Sequence, residues 1–314
     1  MSWENRRFIK GPSSSLWWAS TGLGPCWAEV VEPSVLRLLV VGRDSENRSR
    51  IGEGVLNIDS LDLILGDDPV LDLGERGTFD FNGVAYPWLV RTPSAERLYY
   101  TGWTKGFHVS FINDLGVAER DLFSKHFKRH SRATILSRTD DEPFGTGSVC
   151  VLATENSWRM WYTSFVSWQM SPTDDKHYYH IRTATSMDGL SWSRPGKPCI
   201  SFDEGRGEYA ISRPSVLRFR DKYLMWFSVR GESYRIEFAW SPDGVAWTRM
   251  NDVLSLSRSD HGWDSDMTCY GHVVQMNDSL LMIYVGNGYG RSGFGVATLP
   301  LSKLDQVLNT EHKE

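Results

Sequence analysis

The chain has 314 residues, of which 40% are hydrophobic and 23% are charged, and its formal net charge is −5. Its 14 Trp, 12 Tyr and 14 Phe exclude a disordered protein, because disordered chains contain few aromatic residues. The negative charge argues against a nucleic-acid-binding protein, and no run approaches the ~20 apolar residues that a membrane-spanning helix needs. We therefore expect a globular protein that binds neither nucleic acid nor a membrane.

The N-terminal segment and the cysteines indicate the cellular compartment in which the protein is expected. The first fifteen residues contain no apolar run of the kind that directs export. Cys26, Cys150, Cys199 and Cys269 are far apart and form no C-x-x-C pair, so they are expected as buried thiols. We predict a cytoplasmic protein with no cofactor and no metal site, and the sequence leaves the oligomeric state open.

Five short runs of apolar and aromatic residues recur at intervals of about 60 residues. Their aromatic and β-branched content is typical of strands. A unit of this length with three or four strands predicts one blade of a β-propeller. The runs are Leu36–Gly42, Arg97–Trp103, Arg159–Phe165, Tyr223–Ser228 and Leu280–Gly286.

A second motif, S-x-D-G-x-x-W, occurs twice, at Ser186–Trp192 and Ser241–Trp247. Asp-Gly supplies the positive φ angles of a tight turn, so the motif predicts a hairpin whose Trp packs back on the blade. The basic run Lys125–Arg132 is interpreted as a solvated connecting loop rather than a polyanion site.

These patterns predict an all-β fold, a five-bladed β-propeller with a central funnel, as a single domain over residues 1–314. The predicted blades span approximately residues 20–65, 80–120, 142–195, 208–250 and 264–300. Residues 301–314 form a short tail, in which leucines predict one amphipathic helical turn.

Four carboxylates stand six or seven residues before one matched position in the predicted first strands of four blades, the position of Pro87, Val149, Pro214 and Gly271; they are Asp80, Glu142, Glu208 and Asp264. First strands begin at the same end of a propeller, so these acids are expected to approach the funnel from four sides. Glycoside hydrolysis needs one carboxyl group to protonate the leaving oxygen and another to activate water. The four acids are therefore the candidate catalytic residues, and the alternative is that they cap turns.

Further side chains are expected on the same face. Arginine binds hydroxyls, carboxylates and phosphates through forked hydrogen bonds, and aromatic rings stack on sugars. The alternatives are ion pairs with the four acids and packing in the core. The predicted substrate-binding residues are Arg43, Asp44, Tyr86, His180, Arg213, Arg235, Tyr270 and Arg291.

The order of the blades, the two S-x-D-G-x-x-W turns and the segments Phe79–Val90, Ser212–Arg218 and Gly262–Tyr270 resemble the five-bladed superfamily of glycoside hydrolase families 43, 32, 62, 68, 117 and 130. The resemblance covers roughly residues 20–300. It is closest to cytoplasmic, glycosylase-like members encoded with surface-polysaccharide or natural-product genes. It implies a funnel lined by carboxylates, with a catalytic Asp on the first blade and an acid Glu on a later one.

Blade one departs from this pattern, because Cys26 stands where families 43 and 32 keep their base or nucleophile. The leading hypothesis is an intracellular carbohydrate-active enzyme that cleaves or transfers a glycosyl group, with Glu142 or Glu208 as general acid and Asp80 or Asp264 as its partner. Phosphorolysis, in which phosphate replaces water, is a variant of it. The alternatives are a non-hydrolytic biosynthetic enzyme acting on a small anionic metabolite and a non-catalytic binding propeller. In each case the partner is a small molecule or saccharide.

Overall fold

The structure is a computed structural model that describes residues 3–11, 15–154, 157–169 and 175–310. Its strands pair in antiparallel groups of four. The first strand is β1 (Glu4–Lys10). Group 1 then contains β2 (Gly22–Glu32), β3 (Val35–Arg43), β4 (Ser49–Asn57) and β5 (Leu63–Leu65). Group 2 contains β6 (Gly83–Arg91), β7 (Ala95–Thr104), β8 (Ile112–Asp121) and β9 (Lys128–Arg129).

The remaining groups repeat this order. Group 3 contains β10 (Thr146–Ala153), β11 (Trp158–Gln169), β12 (Lys176–Ser186) and β13 (Pro198–Ile200). Group 4 contains β14 (Ala210–Phe219), β15 (Lys222–Arg230), β16 (Tyr234–Ser241) and β17 (Thr248–Arg249). Group 5 contains β18 (Cys269–Met276), β19 (Ser279–Val285) and β20 (Gly293–Pro300), and β1 pairs with β20 as its fourth strand. We interpret each group as one predicted blade.

The pairing of β1 with β20 is a finding that the sequence did not predict. The segment Glu4–Lys10 is mostly polar and carries no strand pattern, yet its residues align antiparallel with Gly293–Thr298. This pairing ties the two ends of the described chain together.

Helical structure is limited in the described residues. The single α-helix, α1 (Leu301–Thr310), occupies the predicted tail and buries Leu304. No helix in the ranges given above is long and apolar enough to span a membrane. Short 3-10 helices lie at Trp17–Ala19, Glu204–Arg206 and Asn287–Gly290.

The two S-x-D-G-x-x-W turns lie between the third and fourth strands of groups 3 and 4, and each contacts the preceding group. Gly189 and Gly244 have φ angles of 70° and 74°, as the turn requires. The Gly189 carbonyl accepts a hydrogen bond from the Tyr99 hydroxyl at 2.7 Å, and the Gly244 carbonyl accepts one from the Trp161 indole at 2.9 Å. Each turn therefore fastens its group to the preceding one.

The first strands of the groups pack against one another and so form the innermost layer. Each contains a β-bulge at the same point, where the register with the second strand shifts. One residue per bulge has a positive φ angle, which is uncommon outside glycine, and bulges re-aim side chains. These residues are Gly24 (φ 118°), Tyr86 (51°), Ser148 (42°), Arg213 (52°) and Tyr270 (57°).

Candidate ligand-binding site

A cavity of about 250 Å³ lies where the inner strands meet, and we call it the inner cavity. It is lined by three of the bulge residues, and by aromatic and polar side chains from the second and third strands of the groups. None of the lining residues in the described part of the chain is Asp or Glu. They are Tyr86, Phe111, Asn113, Gly147, Ser148, Thr163, Phe165, His177, Tyr179, Ser212, Arg230, Tyr234, Tyr270 and Tyr289.

Two outer cavities adjoin the inner one. The first, of about 390 Å³, shares Tyr86 with it and is also lined by Arg43, Trp103 and Lys105. The second, of about 460 Å³, shares Tyr289 with it and is lined by Arg43, Asp44 and Arg291. Cavities of this size with few, well-placed polar groups are typical of small-molecule sites.

The tyrosines of the inner cavity are hydrogen-bond donors. The hydroxyl oxygens of Tyr179 and Tyr234 are 2.5 Å apart. Burial raises the pKa of Tyr179 to about 12 and the pKa of Tyr234 well above its usual value. Burial also raises the pKa values of Tyr86 and Tyr270. All four phenols are therefore protonated near neutral pH.

Arg230 is the cation of the inner cavity. Its guanidinium lies 5.3 Å from the ring centres of both Tyr209 and Tyr234, and its Nη1 is 3.1 Å from Nε2 of His177. Because a guanidinium only donates, His177 Nε2 accepts this hydrogen bond.

Four cations that line the cavities, and the buried Arg213 beside Tyr86, have no carboxylate partner among the described residues. Every salt bridge within 4.0 Å in that part of the chain involves other basic residues. The five cations are Arg43, Lys105, Arg213, Arg230 and Arg291.

Arg213 is fully buried at the bulge of β14 and binds the inner strands together. Its Nη2 donates to the backbone carbonyls of Cys26, at 2.9 Å, and Pro87, at 3.3 Å. Its Nε and Nη1 have no hydrogen-bond partner in the described residues. Burial lowers the pKa of Arg213 to about 10, so the side chain remains charged at neutral pH.

The four predicted catalytic acids lie outside these cavities, each in an ion pair. Asp80 is fully buried, accepts a hydrogen bond from the Tyr100 hydroxyl at 3.0 Å and pairs with Arg129 at 2.7 Å. Arg129 lies on β9, within the basic run expected to be a solvated loop, so that expectation was wrong for this residue.

Two of the other three acids repeat the arrangement. Glu142 contacts the Tyr162 hydroxyl at 3.0 Å and Arg194 at 2.7 Å; Asp264 contacts the Tyr284 hydroxyl at 2.8 Å and Arg6 at 3.0 Å. Glu208 instead pairs with Arg249 at 2.9 Å and Arg235 at 2.5 Å. We call these four arrangements the acid clamps. Of the arginines predicted to bind substrate, Arg235 alone pairs with one of these acids in the described residues, and a catalytic role for the acids stays a prediction.

The predicted substrate-binding residues divide between the two regions. Arg43, Asp44, Tyr86, Tyr270 and Arg291 line the cavities. Asp44 pairs there with Arg48 at 2.9 Å and Arg50 at 2.7 Å, and these bonds hold its pKa low despite the opposing effect of burial.

His180 and Arg235 do not line the cavities. His180 accepts a hydrogen bond from Arg182 at 3.0 Å, and Arg235 joins the acid clamp of Glu208. Their neighbours Tyr179 and Tyr234 line the inner cavity instead. Successive residues of a strand point to opposite faces, so the prediction missed the cavity face by one residue.

Other lining residues were missed for a related reason. The bulge position, one residue before Pro87, Val149, Pro214 and Gly271, would have indicated Ser148 beside Tyr86, Arg213 and Tyr270. In the described part of the chain no three His, Cys, Asp or Glu side chains are grouped to hold a metal ion.

Comparison with known proteins extends these observations. No family model matches the chain. Solved structures that superpose on it include one described as "Glycoside hydrolase" (17% identity, TM-score 0.71, covering 92% of both chains). Another belongs to a report that the GH130 family of mannoside phosphorylases contains glycoside hydrolases targeting β-1,2 mannosidic linkages (16% identity, TM-score 0.68, covering 91% of this chain and 86% of that one). The predicted β-propeller fold of the glycoside hydrolase type is thereby confirmed.

A sequence relative covers nearly the whole chain. The uncharacterised protein Rv1502 of Mycobacterium tuberculosis (strain ATCC 25618 / H37Rv) is 34% identical over 301 residues, which are 95% of this chain and 99% of the relative. The chain therefore belongs to the same protein family as Rv1502.

Proposed function

We propose that the protein binds a small anionic saccharide in the inner and outer cavities and acts on it without the carboxylate pair of ordinary glycoside hydrolysis. The observation that carries the proposal is that Arg43, Lys105, Arg230 and Arg291 line the cavities without a carboxylate partner among the described residues, next to the aromatic rings of the inner cavity. Arg43 and Arg230 are partly buried, and burying a charge is costly unless a ligand or partner neutralises it. An anionic group on the ligand would supply that neutralisation.

The tyrosine-rich lining supports a saccharide as the rest of the ligand. Aromatic faces pack on the apolar faces of sugar rings, and the protonated phenols donate to hydroxyl oxygens. The structural neighbours described as glycoside hydrolases support the same class of ligand.

Hydrolysis by Asp80, Glu142, Glu208 and Asp264 is the rival prediction. The names of the structural neighbours favour it. The geometry favours our proposal, since each of these acids is neutralised by arginine away from the cavities. A cytoplasmic, five-bladed protein encoded with biosynthetic genes remains part of our proposal.

Calorimetric titration with matched ligands tests the proposal. We expect glucuronate or glucose 6-phosphate to bind at least tenfold more tightly than glucose, with the preference falling as salt screens the cations. Equal affinity for the neutral and anionic sugars would contradict it. Hydrolysis of glycosides that is lost when any one of the four acids is replaced in a folded variant would instead establish the rival prediction of carboxylate-catalysed hydrolysis.

A further inference from the structure

One corner of the inner cavity gathers a cation, an imidazole and a pair of phenols. Arg230 Nη1 is 3.1 Å from His177 Nε2, and the rings of His177 and Tyr179 stack with centroids 5.4 Å apart. The Tyr179 hydroxyl is 2.5 Å from that of Tyr234. The amide of Asn113 belongs to the same lining.

This set of groups has a chemical use that needs no carboxylate. A carbon next to a carboxylate loses its proton readily only when a cation or hydrogen-bond donors neutralise the carboxylate, because negative charge develops there as the proton leaves. The elimination then needs a base at that proton and an acid at the leaving oxygen. A guanidinium, an imidazole and a phenol meet these three needs.

We propose, building on the proposed function, that the inner cavity cleaves a uronic-acid saccharide by β-elimination, with Arg230 holding the carboxylate, His177 as the base and the Tyr179–Tyr234 pair as the acid. The substrate class is thereby narrowed from anionic saccharides to those with a sugar carboxylate next to the scissile linkage.

The step balances without water or a redox partner. His177 Nε2 takes the proton from the carbon beside the carboxylate, and the electron pair left behind forms a carbon–carbon double bond. The bond from the adjacent carbon to the glycosidic oxygen breaks, and that oxygen takes a proton from the tyrosine pair. The proton on His177 returns through solvent to the tyrosinate, so one saccharide yields one unsaturated and one saturated product.

Because of the hydrogen bond between Arg230 and His177, the substrate carboxylate binds before His177 can act as the base. In the structure the Nε2 lone pair is occupied by the guanidinium. A carboxylate bound by Arg230 takes over that donor and frees Nε2. Since the carboxylate and Nε2 compete for one guanidinium, the carbon beside the carboxylate is placed next to the base.

The test uses the full-length protein with oligosaccharides of galacturonate, glucuronate and mannuronate, and neutral cello-oligosaccharides as the control. The ultraviolet absorbance of an unsaturated uronate and its mass, lighter by one water than a hydrolysis product, report the reaction. We expect this product from at least one uronate. His177→Gln and the double variant Tyr179→Phe/Tyr234→Phe should lower its rate by about 100-fold or more while uronate binding persists. His126→Gln, whose ring contacts the Pro69 carbonyl outside the cavities, should leave the rate unchanged.

The outcomes separate the two proposals. Uronate binding without unsaturated product from any substrate would overturn β-elimination and leave the proposed function intact. Absence of binding to every anionic sugar would overturn both. Saturated products alone would show hydrolysis and overturn the elimination. If a variant does not fold, the product formed by the wild-type protein still distinguishes elimination from hydrolysis.

Discussion

The acid clamps and the inner cavity both place charge close to the inner strands, but they use it in opposite ways. In the clamps every buried carboxylate meets an arginine, as Asp80 meets Arg129 at 2.7 Å. In the inner cavity Arg230 meets phenol rings and an imidazole, with no carboxylate partner among the described residues. Paired charge that repeats from group to group serves the fold. Unpaired charge that occurs in one place indicates a ligand.

The largest effect that tests this contrast is on stability. Asp80→Asn leaves the half-buried Arg129 without its partner and should lower the free energy of unfolding by about 3–5 kcal/mol in urea denaturation. Glu75→Gln is the control, because its pair with Arg132 is exposed, and it should cost less than about 1 kcal/mol. If the Asp80→Asn protein is as stable as the wild type but has lost turnover, Asp80 is catalytic and the structural role is contradicted.

A second effect concerns pH and the buried His272 beside Arg213. Burial, reinforced by the Arg213 charge, lowers the pKa of His272 to about 3, whereas an unfolded histidine titrates near 6.5. The unfolded chain therefore binds the extra proton between these values, so stability should rise with pH from about 3 to 6.5 by up to ~1.4 kcal/mol per unit. His272→Gln, whose amide can still donate to the Ala28 carbonyl, should remove that part of the slope in denaturation curves measured across this range. An identical slope in both proteins would show that the histidine is protonated in the fold.

The sequence supported correct predictions wherever the pattern was local and repeated. The aromatic runs became second strands, and the Asp-Gly turns formed between third and fourth strands. The matched positions of Asp80, Glu142 and Asp264 reflect a real structural repeat.

The site was less predictable because it depends on contacts distant in the chain. Arg6 reaches Asp264 across 258 residues, and no spacing rule signals such a partner. The alternation of strand faces turned a one-residue error into the choice of His180 over Tyr179. Bulges are the third cause, because they shift the side-chain alternation within the first strands without a sequence signature beyond a neighbouring Pro or Gly.

A third prediction concerns ligand affinity. Arg230→Met removes charged hydrogen bonds worth about 1.5–3 kcal/mol and should weaken glucuronate binding by about 10- to 100-fold in calorimetric titration. Its effect on unfolding should be smaller than that of Asp80→Asn, since no carboxylate is left unpaired. Arg132→Met, on the exposed surface, is the control and should change neither quantity. Unchanged glucuronate affinity in the Arg230 variant would remove the inner cavity as the anion site.

The smallest expected change in the free energy of unfolding comes from the tyrosine hydroxyls of the acid clamps. Group 4 lacks this tyrosine and so provides a comparison within the same protein. The position of Tyr162 is taken in group 4 by Phe227, where Arg206 and Arg235 contact Glu208 in addition to Arg249. Tyr162→Phe removes the donor from Glu142 without adding an arginine, so it should lower the free energy of unfolding by about 1–2 kcal/mol. Glucuronate affinity should be unchanged, because the hydroxyl points to the clamp. Loss of affinity with unchanged stability would instead place Glu142 in the site, and the division between paired and unpaired charge would not hold for group 3.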